Sequence, residues 1–87
     1  MYNISSTEFE KKCKEVVPML QEMVMKKAPN VISIRQFYQL EHSLRLNLCV
    51  DYKKGDEEKV LTLSIPAQQV MDENLTPVVD LIVKNVT

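Results

Sequence analysis

The chain has 87 residues, 45% of them hydrophobic and 26% charged, with a single glycine. This composition predicts one packed domain over residues 1–87 and excludes a collagen-like or disordered chain. Eleven basic and twelve acidic residues leave a formal net charge of -1, so no long-range field draws the molecule to nucleic acid or an anionic membrane, and any such contact has to use a local patch.

Ser5 followed by Glu8, with Ile4 set to pack on Phe9, forms a capping box and hydrophobic staple and predicts a helix from Ser5 or Ser6. Phe9, Cys13, Val16, Val17, Leu20 and Val24 then recur at helical spacing, with Glu10, Lys11, Lys12, Lys14 and Glu15 on the other side. Such a stripe faces a core. Pro18 lacks the N–H that would bond back to Lys14, which predicts a kink or a restart there. Lys26 and Lys27 suit a helix C-terminus, and Pro29-Asn30 ends the segment.

From Val31 to Tyr52 the pattern alternates. Ile32, Ile34, Tyr38 and Leu40 share one parity, and Leu44, Leu46, Leu48, Val50 and Tyr52 repeat it, which predicts two strands reversing at Glu41-His42-Ser43, with one long bent strand as the alternative. Lys53 to Glu58 reads as a charged loop around Gly55. A third strand follows from Val60 to Ile65 with Leu61, Leu63 and Ile65 inward. Pro66 closes that strand and opens a helical turn through Val70-Met71. Thr76 as N-cap with Pro77 at the first helical position predicts a last helix from Pro77 to about Asn85, with a strand as competitor because the segment is rich in β-branched residues. The fold expected is α+β, in the order α-β-β-β-α, with a three-stranded antiparallel meander whose helices pack on one face.

No apolar stretch approaches the roughly 18 to 20 residues of a bilayer span. The first residues lack the basic start and apolar core of a secretory signal, so a cytoplasmic protein is expected, with Cys13 and Cys49 remaining thiols. Chemistry finds little support. His42 is the sole histidine and falls in a turn, and spacing does not bring Cys49 to it. Metal-ligand spacings are missing, and Asp56-Glu57-Glu58 is interleaved with Lys53, Lys54 and Lys59. Gly55 alone cannot build the familiar phosphate cradles. The expectation is a non-catalytic chain without cofactor or metal.

Two surfaces remain for binding. The uncovered sheet face carries Ser33, Arg35, Phe37 and Gln39, then Arg45, Asn47, Cys49 and Asp51, then Val60, Thr62 and Ser64. Two arginines beside Phe37 suit either a phosphate and a stacked base or a carboxylate-bearing protein loop. The C-terminal segment, with Val79 and Val83 on a helix apolar on most sides, offers a second interface and a route to self-association. Met19, Met23, Met25 and Met71 add adaptable contacts to core or groove.

The order α-β-β-β-α is similar to that of double-stranded RNA-binding domains and of the small signal-recognition-particle Alu proteins, which bind RNA. In the former the last helix starts Lys-rich, whereas Pro66-Ala67-Gln68-Gln69 carries no positive charge, so the resemblance transfers no functional residue. The function expected is a protein-interaction module, such as an adaptor, assembly factor or inhibitor. It would act through Arg35, Phe37, Arg45, Asn47, Val79 and Val83, and RNA binding by the open face is the second reading.

Overall fold

A computed structural model describes residues 6–37 and 45–87. Helix α1 (Ser6–Lys27) leads into strands β1 (Val31–Phe37), β2 (Arg45–Lys54) and β3 (Glu57–Pro66), followed by the short helix α2 (Ala67–Met71) and helix α3 (Thr76–Val86). The expected caps at Ile4 and Ser5, the reversal at Glu41-His42-Ser43 and the neighbouring Tyr38, Gln39, Leu40 and Leu44 lie outside the described residues.

Helix α1 neither stops nor restarts at Pro18. The lost bond to Lys14 falls on an exposed side, while Cys13 and Val16 before it and Leu20 and Val24 after it are fully buried. Burial of side chains of this size, at roughly 1.5 to 3 kcal/mol each for the larger ones, outweighs an interior proline's cost of about 3 kcal/mol.

The strands form one antiparallel sheet in the order β1-β2-β3. The antiparallel pairing of β1 with β2 disposes of the single bent strand. Leu46, Leu48, Val50, Tyr52 and Ile65 join Phe9, Leu20, Val24, Val70, Val79 and Ile82 in one buried cluster, so the helices cover one face. The alternation fails at Ile32. Val31 pairs with Tyr52 but Ser33 pairs with Asp51, so β1 carries one extra residue there. That bulge turns Ile32 outward, 48% exposed, and gives its inward place to Val31.

The charged segment before β3 is no loop. Lys54 pairs with Glu57 across a two-residue turn, and Lys53 faces Glu58, so opposite charges extend the ladder to the tip. Gly55 has φ +67, while Asp56 keeps a negative φ, the sign pattern of a type II′ turn with Gly first. The hairpin projects beyond the helices, with residues 53–60 exposed, in a molecule of 45 × 24 × 17 Å.

Helix α2 ends in a Schellman motif: Asn74 N–H donates to the Gln69 carbonyl and Glu73 N–H to that of Val70, with Glu73 at φ 52. Thr76 is not the N-cap of α3. Leu75 takes that position without a side-chain cap, and Pro77 lies in the first turn as expected. The helix buries Val78, Val79, Ile82 and Val86, which settles it as a helix packed on the sheet. Asn30 ties three elements, its Nδ2 donating to the carbonyls of Lys53 and Val86, each at 2.9 Å.

Candidate functional site

Alternation along the strands sends two sets of groups to surfaces that helices do not cover. Ser33, Arg35, Phe37, Arg45, Asn47, Cys49, Asp51, Val60, Thr62 and Ser64 share the face turned away from the helices. Arg35 and Asp51 form a two-pronged ion pair there, Nε to Oδ2 at 2.8 Å and Nη2 to Oδ1 at 3.1 Å, and Ser33 Oγ donates to Oδ2 at 2.8 Å. These bonds hold the Asp51 carboxyl below the usual carboxylate range, the Arg35 bond contributing most. Arg35 is thereby neutralised and clamped to β2 rather than held out for a phosphate. Arg45 donates from Nε to Ser64 Oγ at 2.7 Å, and it has no carboxylate partner among the described residues.

Asn47 is only 6% exposed, between its cross-strand neighbours Phe37 and Ser64. With Thr62 and Leu63 these residues line a shallow depression of about 290 Å³. A larger open depression of about 370 Å³ lies toward the hairpin tip, between Ile32, Ser33, Asp51, Glu58, Lys59 and Val60. The open face thus has apolar walls, Ile32 and Val60, on either side of the Arg35–Asp51 pair.

On α3 the two expected contact residues turn toward the core to different extents. Val79 is buried and Val83 half-buried, because the helix turns its 78, 79, 82 and 86 positions into the core. Leu81 is the apolar residue it leaves out, 51% exposed, above a depression shared with Leu63, Ser64, Ile65 and Pro77.

The two sheet edges are the second set. The turn at Gly55-Asp56 makes Lys54 and Glu57 a hydrogen-bonded pair, and such pairs alternate along an antiparallel ladder. Residues 57, 59, 61, 63 and 65 of β3 therefore bond to β2, while Glu58, Val60, Thr62 and Ser64 aim their N–H and C=O groups away from the sheet. On β1 the outward N–H groups belong to residues 34 and 36. That of Ile34 is taken by Gln21 Oε1 of α1 at 3.0 Å. Sequence reasoning misses Gln21 and Leu81, since each acts through a neighbour distant in the chain.

Cys13 is fully buried, and desolvation, assisted by Glu10, pushes its thiol up to about 11, so it is inert at neutral pH. Cys49 lies partly exposed on the open face, and both thiols are free. His42 lies outside the described residues. Among the described residues no group of three metal-ligating side chains gathers, and no helix is long and apolar enough to cross a membrane. Compared with known protein families, curated proteins and solved structures, the chain matches none.

Proposed function

We propose that this chain is a non-catalytic protein-interaction module that takes an extended partner segment along the edge of β3, with the open face beside it as the second part of the footprint. The observation that carries this reading is the state of β3. It is ten residues long, unbroken, at the border of the sheet, and uncharged from Val60 to Ser64, with four residues whose backbone groups point outward. Edge strands of that length are templates for strand addition, in which backbone bonds supply affinity and alternate side chains supply selectivity.

The pairing of Arg35 with Asp51 weighs against the RNA reading, since it cancels one of the two cations expected to meet phosphate. The same proposal takes the protein to act in the cytoplasm, supported by its two free thiols.

Pull-down from the native cell, read by mass spectrometry, tests the reading. A partner recovered with the unaltered chain and lost with Val60→Lys, but retained with Met19→Lys on the far side of α1, is the expected result. Retention with Val60→Lys moves the site off β3. A titration with mixed RNA at low salt is expected to be flat, and salt-sensitive binding would favour the RNA reading instead.

A further inference from the structure

We infer that the segment added to β3 is the β3 strand of a second copy, the two running antiparallel about a twofold axis at Leu61 and joining two three-stranded sheets into one of six. This rests on the interaction-module reading and names its partner. The register follows from the edge itself. Its outward-bonding residues are Glu58, Val60, Thr62 and Ser64, a set symmetric about Leu61. Beyond Ser64 the next outward position is Pro66, which has no N–H, and before Glu58 the strand ends in the Gly55-Asp56 turn.

Centring the pair on Leu61 matches Glu58 with Ser64 of the other copy and Val60 with Thr62, so all four residues on each strand bond, the Ser64 carbonyl, which accepts from Arg45 Nη2 at 3.4 Å, using its second lone pair. With two N–H···O bonds in each of four such pairs, about eight form. Centring one residue earlier sets Ser64 against the turn. Centring one residue later sets Glu58 against Pro66 and forfeits a donor. A shift of either kind by an odd total would bring helix-side residues opposite open-face residues.

Side chains agree with the same register. On the helix side Leu61 meets Leu61, and Lys59 lies opposite Leu63, its stem over the apolar depression that Leu63 shares with Pro77 and Leu81. On the open side Glu58 comes opposite Ser64, whose hydroxyl already holds the Arg45 guanidinium. Among the described residues of one copy neither Glu58 nor Arg45 has an ion-pair partner within 4.0 Å, Glu58 facing Lys53 across the ladder without closing a bridge. Pairing two copies brings them together twice, once at each end, and sets no like charges face to face.

The test uses size-exclusion chromatography with light scattering on the full chain, at concentrations on the order of 100 µM, suited to a small interface. The unaltered chain is expected at twice the chain mass. Val60→Lys/Thr62→Lys and Val60→Glu/Thr62→Glu each put like charges opposite one another, so each alone is expected as a monomer, with association weakened at least about tenfold. An equimolar mixture of the two is expected to restore the doubled mass. Both positions are exposed, so unchanged denaturant midpoints at low concentration certify the folds. Hydrogen exchange on the unaltered chain gives a check without substitution. Protection at the amides of 58, 60, 62 and 64 should rise with concentration, while 59, 61 and 63 stay constant. A monomer at that concentration, or a dimer that survives both double variants, overturns the proposal. A monomer whose captured protein partner is nevertheless lost with Val60→Lys overturns the second-copy inference alone and leaves the module standing.

Discussion

The two borders of this sheet are built from the same kind of backbone and treated in opposite ways. On β1 the strand is seven residues long, a bulge at Ile32 breaks its regularity, and Gln21 of α1 reaches over to accept the outward N–H of Ile34. On β3 the strand is ten residues long and unbroken, and among the described residues no helix side chain bonds to its outward N–H groups. Short length, a bulge and a covering helix are the usual devices by which soluble proteins blunt an edge. One border of this molecule has the bulge and the covering helix among the described residues. Among the described residues the other has a charged tip, Glu57-Glu58-Lys59, a terminal proline and the Arg45 guanidinium on the outward carbonyl of Ser64 at 3.4 Å, which bound the edge at its two ends and leave Val60 to Thr62 without a backbone partner on that side. The contrast locates the available surface better than any residue inventory does.

Removing the platform that both borders share should erase the contrast altogether. Leu48 is fully buried on the central strand, between Gln36 and Leu63 in the ladder, and Leu48→Ala should cost about 2 to 5 kcal/mol. Denaturant unfolding measures it, and protection of amides on β1 and β3 should fall together. A smaller effect is confined to the β3 side. Gly55 has open space around it but a φ of +67, so Gly55→Val should cost about 1 to 2 kcal/mol through backbone strain and not through a clash. A midpoint equal to that of the unaltered chain would show that the turn relaxes to another type. On the β1 side, Gln21→Ala removes the acceptor from the part-buried N–H of Ile34 and should cost about 1 kcal/mol. Its signature is faster exchange at Ile34 with β3 unchanged, and it should make the two borders more alike.

The architecture is legible in chain-local signals. The stripe from Phe9 to Val24 and the unbroken parity of Leu46 to Tyr52 announce α1 and β2, because 3.6-residue and two-residue periods are written directly into apolar spacing, and Pro77 marks the first turn of α3 although Thr76 does not cap it. What was not legible depended on partners far along the chain. Ile32 has the right parity and the wrong side, because the bulge that reverses it is fixed by how β1 registers on Tyr52 and Asp51. Val79 and Leu81 differ in exposure only because of where α3 lies on the sheet. Apart from Gln39, which lies outside the described residues, the residues expected on the open face do share it, yet the bond between Arg35 and Asp51, which changes what that set can do, needs the two side chains brought within 2.8 Å. Border protection was the least visible of all, since Gln21 has no pattern that marks it as an acceptor for a strand.

The gentlest way to separate the two borders is pH. On the open face β1 is tied to β2 by Ser33 and Arg35 acting on the Asp51 carboxylate, whereas the Val60–Ser64 part of β3 is tied to β2 by Arg45 on the hydroxyl of Ser64, which does not titrate in the acid range, the carboxylates that face Lys53 and Lys54 lying beyond it at the tip. Both bonds to Asp51 favour its charged form, so its folded value lies below the ordinary 3.8 of the unfolded chain. The sign follows from which state binds the proton more readily. Above about the ordinary value Asp51 is charged in both states and the tie contributes in full. As pH falls below it, the unfolded chain takes up the proton first, and the contribution declines until the folded carboxyl is protonated too. The Arg35 side chain is 63% exposed, so solvent screens the pair and the change is small. Exchange at β1 amides should therefore quicken as pH drops below 4, after correction for intrinsic rates, while β3 amides change less. Asp51→Asn should remove that difference and leave a pH-independent, slightly loosened β1. If both strands loosen equally in acid, the tie at Asp51 does not set the firmness of the β1 border, and Gln21 and the bulge remain as what distinguishes it from β3.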